Sequence, residues 1–226
     1  MDEVYEYCVR MLGAGAVAIH ASHEAFVAGG SDRIDRMAGA VQACRSRAGE
    51  AASADPGSAE RAGAGTLADS VAREVAEATA QLSADQQEAL ALRDLVGLSH
   101  QQIASVLQIS PYAAGMLVAR ARLALRARRR GVDEEPDDSC GDRERALTMI
   151  VRRQDGEPIA SEDEDWVLEH IGSCEACSRV HAAMLEASVC YRAWRTPDPA
   201  ATRPGGRDRA DAGDGTSQDV VGDAVP

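Results

Sequence analysis

His170, Cys174 and Cys177 stand in the run HIGSCEAC at positions i, i+4 and i+7. That spacing puts an imidazole and two sulfurs on one side of a helix, or of a helix broken at Gly172-Ser173. Thiolates plus an imidazole suit tetrahedral Zn2+, which takes four such ligands in a structural site. Cys140, at the start of the same segment, is the best candidate for the fourth, because it would staple the first helix of the segment to the pair; His181 and Cys190 are the alternates. Two other chemistries fit the residue types. CEAC could be a dithiol redox pair whose thiol pKa a helix N-terminus lowers, although such a motif follows a strand and no stretch of this chain alternates with period two. The cysteines could also pack as small buried hydrophobes. The spacing favours zinc, and a zinc site with exposed thiolates remains open to oxidation and metal loss.

A second constellation is built from donors for phosphate and base edges. Arg120, Arg122, Arg126 and Arg128 to Arg130 follow a well-punctuated stretch beginning at Leu82. Ser83 and Gln86 have the spacing of a capping box. Leu90, Leu92, Leu95 and Val96 give the helix that follows an apolar face, and Gly97 suits the left-handed residue that ends it. Ser99 and Gln102 repeat the capping pattern ahead of Ile103, Ala104, Val106 and Leu107. Ser110 caps a third helix with Pro111 at its first position, where a missing amide costs nothing. Three capped helices with tight turns predict a helix-turn-helix, with Ser110, Tyr112, Arg120, Arg122 and Arg126 as candidate DNA contacts. The arginines would neutralise phosphates or form a solvated face. Ala113, Ala114, Gly115, Met116 and Leu117 offer nothing that reads base edges, so sequence selectivity should be weak.

The elements that must position these groups are helical. Alanine and leucine dominate an apolar content of 45%, and aromatics are only 3%, which disfavours sheets. The expected fold class is all-α: small helical domains including the helix-turn-helix and a C-terminal zinc-binding helical domain, followed by a disordered tail. Residues 1–48 read as two or three helices, 49–65 as a small-residue linker, 66–131 as the helix-turn-helix domain, 132–139 as an acidic linker, 140–195 as the zinc domain and 196–226 as the tail. Net charge is −13 and the chain has no lysine. Residues 79–131 nevertheless carry seven arginines against Asp85, Glu88 and Asp94, a balance of +4, whereas 132–195 stand at −9. One basic segment in an acidic chain fits a nucleic-acid contact beside a segment that repels nucleic acid. The acidic MDEVYEYC start does not resemble a signal peptide, and the apolar run Met11 to Ile19 is too short to span a bilayer, so a cytoplasmic protein with no membrane partner is expected.

Leu98-Ser99, Gln102-Ile103-Ala104, Leu107, Ile109-Ser110 and Arg120-Ala121-Arg122 resemble region 4 of bacterial sigma factors of the sigma-70 family, especially the extracytoplasmic-function (ECF) group. The resemblance implies that the third helix enters the major groove of the upstream promoter element. Tyr5, Tyr7, Arg10, Leu12 and His23-Glu24-Ala25-Phe26 are similar to the early helices of sigma region 2, which binds core RNA polymerase and opens promoter DNA. Strand opening also needs aromatic side chains that hold unstacked bases, and none lies between Phe26 and Tyr112. Cys140, Asp155-Gly156-Glu157, Trp166, Glu169-His170 and Cys174-x-x-Cys177 resemble the zinc finger of zinc-containing anti-sigma factors. In that family the domain grips sigma helices and masks their polymerase surface. The order of the three segments implies a sigma-like initiation factor that binds promoter DNA and core RNA polymerase under the control of a fused zinc domain. The alternative is an anti-sigma factor or decoy that binds another sigma or anti-sigma factor without promoter recognition. No catalysis is implied, and a thiol oxidoreductase using Cys174 and Cys177 is a distant third reading.

Overall fold

Tyr7 and Cys8 follow Val4 at i+3 and i+4, and all three are buried. This spacing makes helix α1 (Glu3–Leu12) amphipathic. It packs against α2 (Ala16–Gly29) and α3 (Arg33–Ser53), whose contact faces are built from Ala18, Ala21 and Ala25 and from Met37, Ala40, Val41 and Cys44. Small residues let these helices approach closely. The computed structural model describes residues 3–53, 67–132 and 139–194. Helix α3 continues through residues 49–53, where a linker was expected, because Glu50, Ala51 and Ala52 are good helix formers. The rest of that linker, residues 133–138 of the acidic linker and the expected tail lie outside the described residues.

Helix α4 (Leu67–Ala80) leads into α5 (Ala84–Leu90), which continues as a π-helical turn over Ala91–Leu95. Ser83 closes the expected capping box with Gln86, and Gly97 ends the turn at φ 78°. Helix α6 (His100–Leu107) starts from the Ser99–Gln102 box and ends on Gln108 at φ 58°, a left-handed cap filled by a non-glycine residue. Helix α7 (Pro111–Arg130) starts from Ser110, whose Oγ accepts the Ala113 N–H at 3.1 Å. The chain bends by 99° between α6 and α7, within the range of a helix-turn-helix. Helices α8 (Arg143–Gln154), α9 (Ser161–Ser173) and α10 (Glu175–Ala193) complete an all-α fold with no strand among the described residues.

The three segments share their cores. One apolar cluster joins Tyr7 and Met37 to Leu92, Ile103 and Val118 and on to Ile150 and Met184. A second joins Val75 and Leu82 to Leu90 and Leu125 and to Ala187 and Tyr191 of α10. Ion pairs support the first seam: Arg45 to the buried Glu88 at 2.6 Å, and Arg33 to Glu3 at 2.7 Å with a further bond to the Val96 carbonyl. No single described helix is long and apolar enough to cross a membrane.

Candidate nucleic-acid interface and metal centre

Helix α7 presents the expected arginines to three different surroundings. Arg120 is exposed beside a groove of about 860 Å³ between α7, α8 and α10. Arg126 pairs with Glu186 of α10 at 3.1 Å, and Arg129 and Arg130 reach the same carboxylate at 3.3 and 2.8 Å. Arg122 is fully buried, so its expected role as a DNA contact is corrected. Its Nε and Nη2 donate to both oxygens of Asp94 at 3.0 and 2.8 Å, and Nη2 also donates to Asp155 at 2.7 Å. A guanidinium locked in this way is a structural pin for the helix-turn-helix. Ser110 is committed to capping α7, and the exposed Tyr112 hydroxyl donates to Glu144 of α8 at 2.7 Å.

Asp155 and Glu157, in the turn after α8, are the main contacts the sequence reading missed. The Asp155 carboxylate meets Arg122, Arg93 at 3.1 Å and His100 Nε2 at 2.8 Å. Burial raises its pKa, but the hydrogen bond from His100 and the charges of Arg122 and Arg93 outweigh this and bring it down to about 2. Glu157 accepts the backbone N–H of His100, at the start of α6, at 2.7 Å. Asp94 is likewise shared, accepting from Ser188 and Arg192 of α10 at 2.7 and 3.0 Å. Local sequence carries no signal for these pairs, since the partners lie from 28 to 98 positions apart.

The metal candidates converge. Cys140, just ahead of α8, His170 near the end of α9, Cys174 between α9 and α10, and Cys177 in the first turn of α10 hold their ligand atoms within 4.8 Å of one another. His170 Nε2 lies 3.3 Å from Cys140 Sγ, and the imidazole stacks on Trp166 at 4.8 Å between ring centroids. Four ligands about 2.0 to 2.3 Å from a common tetrahedral centre stand about 3.3 to 3.8 Å apart, so side chains whose ligand atoms already lie within 4.8 Å could hold a metal ion. Burial, and then the neighbouring thiols Cys140 and Cys174, push the Cys177 thiol up to about 12. The Cys177 backbone amide holds the Cys174 thiol below its usual range. Metal binding needs these thiols as thiolates, and a divalent cation would offset the cost of ionising Cys177 beside its neighbours. His181 and Cys190, the alternate ligands, are outside the cluster; Cys190 instead accepts a contact from Arg129 at 2.9 Å.

The helix-turn-helix is the part with known relatives. Residues 72–125 match the family "Sigma-70, region 4". Over these residues the chain is similar to region 4 of sigma-70 factors, which agrees with the helix-turn-helix geometry of α5–α7. The match ends before the last arginines of α7 and covers neither α1–α3 nor the Cys/His cluster. No curated protein and no solved structure matches the chain.

Proposed function

We propose that this protein is an ECF-type sigma-like initiation factor whose fused C-terminal segment binds Zn2+ and holds region 4 closed. In this reading α1–α3 dock on core RNA polymerase, region 4 binds promoter DNA, and Cys140, His170, Cys174 and Cys177 are the zinc ligands. Bound zinc supplies a closed structural site that ties the start of α8 to the α9–α10 junction. The observation that carries the reading is the placement of α8. A small cavity separates it from the N-terminal ends of α6 and α7, lined by His100, Pro111 and Tyr112 on one side and Thr148, Val151 and Glu157 on the other. In a helix-turn-helix those ends face the DNA backbone and major groove, so α8 lies where the duplex would.

The test is a duplex-binding titration of the full chain with and without a metal chelator. The expected result is weak binding by the zinc-loaded protein, tighter binding after chelation, and reversal on adding Zn2+. Binding that ignores the chelator would refute control by the metal. A second reading, an anti-sigma factor or decoy that engages another sigma or anti-sigma factor, draws on the start of α7, where Ala113 to Leu117 carry no donor or acceptor that reads a base edge. It predicts no duplex binding under either condition.

A further inference from the structure

We propose that the C-terminal segment closes region 4 as a mimic of the DNA backbone, setting carboxylates where phosphates would sit. The inference rests on the reading of region 4 as a DNA-binding module. Three carboxylates carry it. Glu157 accepts the His100 N–H at the start of α6, the end of the first helix that crosses the phosphate backbone in a helix-turn-helix. Glu144 accepts the Tyr112 hydroxyl in the first turn of α7. Glu186 gathers Arg126, Arg129 and Arg130 at the other end of α7. An amide at a helix start, a tyrosyl hydroxyl and clustered guanidinium groups are donors that position proteins on duplex backbones.

The charge of α8 does not by itself explain these contacts. The helix is itself basic, carrying Arg143, Arg145, Arg152 and Arg153 against Glu144. Two of these arginines are engaged by α9 and not by region 4: Arg145 pairs with Asp163 at 2.9 Å and Arg153 with Glu164 at 3.6 Å. Arg152 donates to the Pro158 carbonyl and lines the cavity in front of α6 and α7. Arg143 borders the groove between α7, α8 and α10. The basic helix still sets its one acidic residue, Glu144, on the Tyr112 hydroxyl, and the turn that follows adds Asp155 and Glu157. Asp155 goes deeper and pins Arg122, Arg93 and His100, whereas Glu144, Glu157 and Glu186 meet donors a phosphate could take over.

The experiment compares the full-length, zinc-loaded chain with the triple variant E144Q/E157Q/E186Q. A control, E162Q/E164Q/D165N, makes the same change of net charge on the outer part of α9. Fluorescence anisotropy with an arbitrary 20-base-pair duplex is read across a salt series, with metal content and thermal melting confirming that each variant is folded. The first variant should bind about ten-fold or more tighter than the parent at low salt, with a log–log salt slope steeper by about 2 to 3, as each of the three arginines that Glu186 gathers adds about 0.9 when it neutralises a phosphate. The control should match the parent. An equal gain in both variants would overturn mimicry in favour of a net-charge effect. Unchanged affinity in the first variant, with measurable binding by the parent, would overturn mimicry and leave the DNA-binding reading standing. Absence of duplex binding in every protein, also after chelation, would overturn that reading and the inference together.

Discussion

Arg122 and Arg120 sit two positions apart on α7 and do opposite work, because two residues along a helix is about half a turn. Arg122 points into the core and is held by Asp94 and Asp155. Removing one partner of a buried ion pair leaves its carboxylates without compensation, so Arg122→Ala should cost about 3–5 kcal/mol, read as a fall in the urea midpoint. Arg120→Ala should leave the midpoint alone. It should weaken binding to unrelated duplexes about equally and reduce the salt slope by about 1, and a loss confined to one sequence would contradict this role. The Asp155 carboxylate stands at about 2 against an ordinary 3.8. A depressed folded pKa gives stability that is complete above 3.8 and is lost as pH falls from there toward 2, about 2 kcal/mol in all. Acid titration of the unfolding free energy between pH 5 and 2 should show that loss, and Asp155→Asn should flatten it.

At the scale of elements, the helix starts were legible and the contacts between helices were not. Ser83, Ser99 and Ser110 announce α5, α6 and α7, because capping is local chemistry written within four residues. The closeness of His170, Cys174 and Cys177 was legible through the fixed reach of one helix turn and one break, whereas Cys140 comes to them from 30 positions upstream. The linker was misjudged at residues 49–53, where helix propensity outweighs a single glycine. Arg122 was misassigned because an arginine on a basic helix reads as surface until its distant carboxylates are known. Gly115 is a further case: a Cβ at that position would stand 2.9 Å from His100 Nδ1, so α7 needs a residue without a side chain where it crosses the start of α6. Gly115→Ala should therefore destabilise the fold by about 1–3 kcal/mol, seen as a lower thermal midpoint. A gain, as expected of alanine in an open helix, would show that His100 moves aside freely.

On the scale of the whole molecule, α10 touches all three segments. It starts at the Cys/His cluster, lays Ala187 and Tyr191 into the core with α4 and α7, and ends at Trp194, whose ring lies 3.7 Å from the Arg10 guanidinium of α1. Helix α10 thus contacts both the N-terminal helices and the helix-turn-helix. His170→Ala should release bound zinc and raise proteolytic sensitivity and hydrogen exchange across α8–α10. Helices α5–α7 should stay protected, because Arg122 keeps its bidentate bond to Asp94; metal content unchanged from the parent would remove His170 from the ligand set. Isolating the protein with an N-terminal tag from its native cells tests whether it is an initiation factor. Core RNA polymerase subunits in the eluate with no other sigma factor are the expected result. A different sigma factor without core polymerase would contradict it and make the protein an inhibitor.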